Sequence, residues 1–231
     1  QSLPDTLGMD IVEKYHLMGL SEALCNIHFP SDMIAMQRAR ERMKFEELFY
    51  IQMQILRQMK RREQNEGFSM PIVGKYFNTF YKTCLPFDLT NAQKRVVREI
   101  QADIKSGKQM NRLLQGDVGS GKTMVALLTA LLAIDNGYQV CIMAPTEILA
   151  NQHYQSICEM LGGNEFIIQN SKFKIALLTG STTAKQRQPL HEQLLNGEIN
   201  LLIGTHALIE DSVQFANLGL CIIDEQHRFG V

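Results

Sequence analysis

The sequence predicts an α/β fold, a doubly wound parallel sheet, preceded by a helical N-terminal subdomain. From about residue 85 onward, short apolar runs alternate with helical stretches, the order typical of βαβ units. Several of these runs are apolar without a break, as expected of parallel strands covered by helices on both faces. The residues before 85 have helical spacing instead. We therefore predict a helical subdomain over 1–84 and an α/β domain over 85–231.

In the first part of the chain, the pattern predicts two helices. A short helix is expected at 21–24, and Ser31 is the expected N-cap of a long helix that continues to Arg62. The basic end of this helix, 57–62, suits a solvated C-terminus, where cations are favoured, and a contact with nucleic acid is the other interpretation. Apolar residues recur at three- and four-residue spacing in its second half: Phe45, Leu48, Phe49, Ile55, Leu56 and Met59.

In the second part, helices and strands are predicted in alternation. The helices are expected at 91–105, 122–136, 147–161 and within 182–196, and the strands at 110–115, 139–144, 173–179, 200–204 and 218–223. Asn136-Gly137 is a usual helix stop signal. Pro189 predicts a turn at 182–187 and then a helix with proline in its first turn, because proline lacks the N–H that later turns need.

A glycine-rich loop lies between the apolar run 110–115 and the apolar helix that follows. It reads G-x-x-x-x-G-K-T and consists of Gly116, Asp117, Val118, Gly119, Ser120, Gly121, Lys122 and Thr123. Such a loop brings backbone N–H groups close to phosphate oxygens, at the positive end of a helix. It predicts a bound nucleoside triphosphate, ATP, with Mg²⁺: Lys122 would reach the β- and γ-phosphates and the Thr123 hydroxyl would ligate the metal. The alternative, a flexible loop with a solvated lysine, does not explain the flanking strand and helix.

Two carboxylates follow the last predicted strand. The strand at 218–223 leads directly into Asp224 and Glu225, and ligands of open α/β sheets bind at the carboxyl ends of strands. Asp224 is therefore expected to hold Mg²⁺, and Glu225 to orient and activate the attacking water of a hydrolysis reaction. An acidic turn after a strand is the alternative, which the phosphate loop upstream disfavours.

The run Asp-Glu-Gln-His at 224–227 resembles the motif that names the superfamily 2 helicases and translocases. Within that superfamily the chain resembles the RecG family, and the matching stretches cover almost its whole length. They are 27–30, 39–42, 45–49, 85–87, 89–93, 116–123, 144–153, 179–181, 204–209 and 224–231. The transcription–repair coupling translocases of the Mfd family share much of the second half. The helical lead-in and Gln226 favour the RecG family.

This resemblance implies a RecA-like P-loop NTPase fold and a role in remodelling stalled replication forks and branched DNA in recombination and repair. Proteins of the family use ATP hydrolysis to pull on duplex DNA, with a wedge domain followed by two RecA-like motor domains. The chain looks like the helical connector and the first motor domain. The wedge domain and the second motor domain, with its arginine finger, are absent from the sequence, so we expect weak ATP hydrolysis or none from this piece alone.

The resemblance also implies roles for individual residues. Gln93 would read the adenine edge and Phe87 would stack on the base, although a surface glutamine and a core aromatic are the plain alternatives. The loops expected at the DNA side contain Thr146, Gly180, Ser181, Thr205 and His206, whose hydroxyl and N–H groups suit phosphate contacts. Gln226 and His227 would couple the nucleotide state to the DNA side.

Composition limits the class of protein. The hydrophobic content of 45% and charged content of 20% are ordinary for a globular domain, and no apolar run has membrane-spanning length. The net charge of −1 gives no overall nucleic-acid signature, although a local patch can suffice. Five scattered cysteines indicate a reducing, cytoplasmic location.

The sequence leaves two other functional hypotheses. One is a DNA-binding module with nucleotide as a switch, and the other is a small-molecule kinase, against which the Glu225 position argues.

Overall fold

The structure, a computed structural model, describes residues 3–63, 66–85, 87–162, 165–168 and 171–229. Contacts divide the chain into two compact units, Gln1–Asn65 and Glu66–Val231. Tyr76 and Phe80 lie in the core of the second unit, so the residues just before 85 fold with the α/β part. The structural division therefore lies earlier than the sequence-based boundary at 84, and the assignment of functional domains to 1–84 and 85–231 stays a prediction.

The described residues of the first unit form the helices α1 (Met9–Lys14), α2 (Leu20–His28) and α3 (Met33–Glu63). The predicted short and long helices are thus confirmed as α2 and α3. The predicted N-cap Ser31 is wrong, because Asp32 fills that role. The Asp32 Oδ1 atom accepts the backbone N–H of Ala35 at 2.7 Å, as an N-cap carboxylate does three residues before its donor.

A buried arginine joins the start of the first unit to α3. Arg42 is fully buried and forms ion pairs at 2.6 Å with Asp5 Oδ1 and with Glu46 Oε2. Desolvation acts to raise the pKa of Asp5, but hydrogen bonds from the N–H groups of Leu7 and Leu20 and from Arg42 outweigh it and hold that pKa below its ordinary value. The segment before α1 is therefore fixed by charge pairing.

The apolar face predicted on the second half of α3 is only partly covered by other described residues of its unit, among them Tyr15, whose ring lies 5.1 Å from that of Phe45. Leu48, Ile55, Leu56 and Met59 are all about half exposed or more. Phe45 and Phe49 are partly buried and stack on one another, with ring centroids 6.0 Å apart. The spacing predicted a helix with an apolar face, but it did not predict what lies against that face.

The second unit alternates helices and strands, as predicted. In chain order they are α4 (Lys75–Thr79), a π-helical turn (Phe80–Cys84), α5 (Asn91–Lys105), α6 (Lys122–Asp135), β1 (Gln139–Met143), α7 (Glu147–Leu161), β2 (Glu165–Ile168), β3 (Ser171–Leu178), α8 (Ala184–Leu195), β4 (Ile199–Gly204), a 3₁₀ turn (His206–Ile209), β5 (Leu218–Ile223) and a 3₁₀ turn (Gln226–Arg228). The predicted helices α5 and α7 have the expected bounds, and α6 ends at the expected Asn136-Gly137 stop.

Among the described residues, the strands form one sheet in the order β2-β3-β4-β1-β5. Strands β3, β4, β1 and β5 are parallel, and β2 pairs antiparallel with β3. Strand β2 is an addition that the apolar pattern did not predict. The predicted strand at 110–115 is wrong, because a strand needs a paired neighbour and no described residue forms a ladder with this segment. The doubly wound α/β fold is otherwise confirmed.

Helix α8 begins earlier than Pro189 predicts. The helix begins at Ala184 because a capping box forms at its start. In this capping box the Gln186 side-chain oxygen accepts the Thr183 backbone N–H. Pro189 therefore lies inside the helix and not in its first turn, at the cost of one backbone hydrogen bond to Lys185.

The core of the second unit is built on α6 and the strands. Helix α6 is buried on nearly every side, as its uninterrupted apolar sequence predicts. Cys141 on β1 is buried, whereas Cys221 on the edge strand β5 is exposed. In the described part of the chain, no helix is long and apolar enough to cross a membrane.

Candidate active site

The phosphate loop is an exposed loop held by glycine conformations and by its own lysine. Gly119 and Gly121 have φ angles of 80° and 79°, in the left-handed region that favours glycine. The Lys122 ammonium donates to the carbonyl oxygens of Gly116 at 2.7 Å and Asp117 at 2.9 Å. The lysine therefore lies back across the loop, with its ammonium bonded to two loop carbonyl oxygens.

Gln93 connects helix α5 to this loop. Its Oε1 atom accepts the Thr90 N–H at 2.9 Å in a capping box, and its Nε2 atom donates to the Ser120 carbonyl oxygen at 2.9 Å. A Cβ atom added to Gly121 would lie 2.3 Å from Nε2, so Gln93 packs directly on the loop. Both ends of its amide are engaged, and adenine reading by Gln93 stays a prediction. The same holds for Phe87, which is half exposed.

The phosphate loop lies at the carboxyl edge of the sheet. Helix α6 is followed immediately by β1, and Tyr138 packs against Gly219 at the start of β5. The helix is about 20 Å long at ~1.5 Å per residue, and β5 is about 20 Å long at ~3.3 Å per residue. Because the C-terminal end of α6 lies at the amino ends of these strands, its N-terminal end and the loop lie near their carboxyl ends.

The predicted site loops follow strand ends that are aligned in register. Met143 pairs with Gly204 and with Ile223, and Leu178 pairs with Gly204. The loops that start at Ala144, Thr179, Thr205 and Asp224 therefore leave the sheet at one edge. We call this edge the rim, defined as residues 144–147, 179–182, 205–210 and 224–228.

Asp224 is fixed at the rim by its backbone and by a histidine. Its N–H donates to the Met143 carbonyl oxygen at 2.9 Å, and its Oδ2 atom lies 2.7 Å from Nε2 of His153 on α7. These side chains are 28% and 17% exposed, respectively. Among the described residues, no hydrogen bond or ion pair joins Lys122 or Thr123 to the carboxylates after β5.

Glu225 has a backbone conformation that is rare for a residue with a side chain. Its φ and ψ angles are 48° and 45°, in the left-handed region. Its Oε2 atom lies 3.4 Å from His227 Nε2 and 3.9 Å from Arg228 Nε, and Gln226 begins the 3₁₀ turn. Strained backbone is often found at functional sites, and here it turns the Glu225 side chain away from the line of the strand.

At the start of α7, two rim loops are joined. The Thr146 hydroxyl caps α7 by accepting the Leu149 N–H, and the Glu147 Oε1 atom accepts the Ser181 N–H at 2.9 Å. A Cβ atom on Gly180 would lie 2.9 Å from that carboxylate oxygen, so the end of the Glu147 side chain lies directly against Gly180. The sequence-predicted residues of these two loops are thus brought together.

The third rim loop presents only one of its two predicted side chains. His206 is exposed at the start of the 3₁₀ turn, whereas Thr205 is 2% exposed. The Thr205 hydroxyl is buried and has no hydrogen-bond partner among the described residues. A phosphate could therefore meet His206 in this arrangement, while Thr205 contributes to the interior of the loop.

Three residues of this region received no role from the sequence: His153, Glu147 and Arg187. The first two lie inside the stretch 144–153 that matched the helicase motifs, and Glu147 stands directly after an N-cap, where acidic residues are frequent. A local sequence signal was therefore available for Glu147. None points to Arg187, whose partners are distant in sequence.

The oxygen donors at the rim suit Mg²⁺ better than they suit a metal ion whose ligands are all protein side chains. Among the described residues, no group of three or more His, Cys, Asp or Glu side chains could hold a metal ion. Mg²⁺ is usually bound by one or two protein oxygens together with phosphate oxygens and water. The Thr123 hydroxyl and the Asp224 carboxylate are donors of this kind, and both belong to the same edge of the sheet.

Fold and site together define a P-loop motor domain of the helicase class. Residues 90–231 match the family described as DEAD/DEAH box helicase, and the chain belongs to that family. Over its whole length it is similar to the ATP-dependent DNA helicase RecG. The RecG of Thermotoga maritima is 49% identical over 100% of this chain and 28% of the relative. The RecG of Bacillus subtilis is 47% identical over 100% of this chain and 33% of the relative.

A solved structure supports the same relationship. It is described as RecG bound to a three-way DNA junction, and it is 48% identical with a TM-score of 0.82. It covers 99% of this chain, and the chain covers 30% of it. The RecA-like α/β fold with a helical N-terminal part and the resemblance to the RecG family are thereby confirmed. The chain spans about a third or less of the length of these relatives.

Proposed function

We propose that the chain is the ATP-binding motor part of an ATP-dependent DNA helicase that remodels stalled forks and branched DNA. The remaining parts of such an enzyme, a wedge domain and a second RecA-like domain, would come from the same longer chain. Similarity to RecG over the whole of this chain, at about a third of the relatives' length, supports this proposal.

In this proposal, ATP binds at the phosphate loop with Mg²⁺. Backbone N–H groups of 116–121 and the Lys122 ammonium hold the phosphates, and Thr123 and Asp224 hold the metal. The metal would neutralise charge on the phosphates, and Glu225 would accept a proton from the attacking water. Gln93 and Phe87 would contact the base.

The single observation that carries the proposal is the position of Lys122. Its ammonium is held over the loop by the carbonyl oxygens of Gly116 and Asp117, beside glycines in left-handed conformation. An ammonium is a strong donor to phosphate oxygens, and the backbone N–H groups of such a glycine-rich loop are the usual further donors.

On the DNA side, we propose that backbone and hydroxyl groups of the rim contact phosphates. Thr146, Gly180, Ser181 and His206 are exposed there, and Thr205 would act from inside its loop. Such contacts position a strand without reading its sequence. Gln226 and His227 would then transmit the nucleotide state. The enzyme would act in the cytoplasm, consistent with five free cysteines.

Nucleotide binding is tested by calorimetry of ATP with Mg²⁺ on the wild-type chain, on Lys122→Ala and on Lys105→Ala. Lys105 is an exposed lysine at the other end of α5 and serves as the matched control. We expect affinity to fall at least about 30-fold in Lys122→Ala, since charged hydrogen bonds contribute about 2 kcal/mol, and to stay unchanged in the control. Equal affinity in all three proteins would reject the phosphate-loop assignment.

Hydrolysis separates this proposal from the two other hypotheses. We expect slow turnover or none from the isolated chain. Strong DNA-stimulated hydrolysis by this piece alone would contradict a site that needs the second motor domain. Transfer of phosphate to an acceptor other than water would favour a kinase, and salt-dependent DNA binding without nucleotide would favour a DNA-binding module.

A further inference from the structure

We propose that His153 is a positioning residue for Asp224, and that helix α7 couples DNA at the rim to the metal-binding carboxylate. The inference rests on the proposed function and assigns the coupling to a residue outside the Asp-Glu-Gln-His run. It follows from three sets of contacts. The first joins His153 to Asp224, the second joins the start of α7 to the loop after β3, and the third joins that loop to the segment after the 3₁₀ turn at 206–209.

The first set lies at the carboxylate. His153 Nε2 is 2.7 Å from Asp224 Oδ2, a distance typical of a charge-assisted hydrogen bond, with the imidazole N–H donating to the carboxylate. Both side chains are mostly buried, so water competes little for this contact. The contact fixes the direction of one Asp224 oxygen. The other carboxylate oxygen, Oδ1, is then directed toward a metal at the phosphates in the proposed function.

The second set lies at the start of the same helix. Thr146 caps α7, and Glu147 accepts the Ser181 N–H from the neighbouring rim loop. His153 is seven residues after the cap, or about 10 Å along the axis at ~1.5 Å per residue. Ala150, which lies between the cap and His153, is fully buried, and Ile157 is buried one turn after His153, so this face of α7 is closely packed.

The third set joins the loop after β3 to the rim segment that ends at Glu210. The Arg187 guanidinium donates from Nη2 to the Thr179 carbonyl oxygen and from Nε to the Thr182 carbonyl oxygen, both at 3.1 Å. Its Nη1 atom pairs with Glu210 Oε2 at 2.7 Å. One guanidinium thus holds the loop after β3 to the segment after the 3₁₀ turn at 206–209.

These contacts form one continuous connection. A strand phosphate placed at the rim would contact loops that are bonded to each other and to the N-terminus of α7. A shift of α7 would change the His153–Asp224 contact, because packed helices move as units. In the proposed function Asp224 has two partners, His153 at Oδ2 and the metal at its other oxygen. Binding at either site therefore biases the other, and the effect is reciprocal.

The test measures this reciprocity in the full-length protein that contains this chain. Affinity for a non-hydrolysable ATP analogue with Mg²⁺ is measured with and without saturating branched DNA, and DNA affinity with and without the analogue. We expect the two ratios to agree in wild type, at between about 5-fold and 150-fold. In His153→Ala we expect both ratios to fall to about 1, while each ligand still binds alone.

Two variants control for structural damage. His153→Gln keeps an N–H donor. We expect the logarithm of its affinity ratio to be at least half of the wild-type value. Gln155→Ala removes an exposed side chain from the same helix and should leave the ratio unchanged. A wild-type ratio in His153→Ala, or its loss in Gln155→Ala as well, would overturn the inference.

Failure of the proposed function gives a different result. If wild type binds neither the analogue nor DNA, the proposed function is rejected. If wild type binds both with a ratio of 1, only the coupling is rejected. A wild-type ratio above 5 that persists in His153→Ala rejects the role of His153 and leaves the helicase function intact.

Discussion

Gln93 donates its side-chain N–H to the carbonyl oxygen of Ser120 at 2.9 Å, while its own oxygen closes the capping box of α5. One amide therefore holds a helix start and a phosphate loop at the same time. Because the side chain is 9% exposed, neither bond is readily replaced by water. This double role makes Gln93 a position where helix capping and loop placement can be separated by mutation.

Gln93→Glu should separate the two roles of Gln93. Glutamate keeps the oxygen that accepts the Thr90 N–H, since Glu and Gln serve equally at this capping-box position. It loses the donor to Ser120 and places a carboxylate against a carbonyl oxygen. We expect the free energy of unfolding to change by less than about 1 kcal/mol and ATP affinity to fall about 10-fold.

Gln93→Ala is the matched variant and should lose both the capping-box bond with Thr90 and the hydrogen bond to Ser120. Removal of the capping box should lower the free energy of unfolding by about 1 kcal/mol in addition to the affinity loss. Urea denaturation and calorimetry of the same samples give the two quantities. Unchanged ATP affinity in both variants would show that the loop does not depend on Gln93.

Two glycines of the phosphate loop should respond differently to alanine. Both Gly119 and Gly121 have left-handed backbone, which costs an alanine about 1–2 kcal/mol. A Cβ atom on Gly119 meets open space, whereas one on Gly121 would lie 2.3 Å from Gln93 Nε2. We expect Gly119→Ala to cost about 1 kcal/mol and Gly121→Ala about 3 kcal/mol in unfolding free energy. Equal costs would mean that the Gln93 contact is not rigid.

Asp135, at the end of α6, should stabilise the segment before α4. Its carboxylate accepts three backbone N–H groups at 3.0 Å, from Gly74, Tyr76 and Phe77. Replacement by alanine removes an external cap from the first turn of α4, so we expect a loss of about 3 kcal/mol in Asp135→Ala. Asp211→Ala, at an exposed position, should change stability by less than about 0.5 kcal/mol.

Amide hydrogen exchange gives a second readout for Asp135. The protection of the Gly74, Tyr76 and Phe77 amides should fall in Asp135→Ala before that of the β-strand amides, because local opening precedes global unfolding. Protection equal to wild type at these three amides would contradict the capping role.

The pairing of Asp5 with Arg42 should make the first unit sensitive to acid. The pKa of Asp5 is held below its ordinary value of 3.8 in the folded chain. The ionised Asp5 carboxylate therefore contributes its full stabilisation at pH values above its ordinary pKa. This contribution is lost as pH falls through the lower pKa of the folded state. We expect wild type to lose stability relative to Asp5→Asn as pH falls below about 4. A pH-independent difference between the two proteins, by urea denaturation, would exclude this source of stability.

The helices next to the site could be predicted closely because their signals are local. Thr90 with Gln93 and Thr146 with the following turn are caps that involve residues only three positions apart. The phosphate loop could be predicted for the same reason, since its glycines and lysine are consecutive. The strand at 110–115 could not, because a strand exists only where a neighbour pairs with it.

The sequence by itself determined the α/β alternation, the phosphate loop and the pair of carboxylates after β5, because each depends on neighbours within a few residues. Only the tertiary structure decided which groups those carboxylates meet. His153 and Asp224 are 71 residues apart, and their contact exists because α7 packs on the sheet with register-aligned strand ends. The burial of Thr205 and the link through Arg187 were decided in the same way, since packing between distant segments sets them.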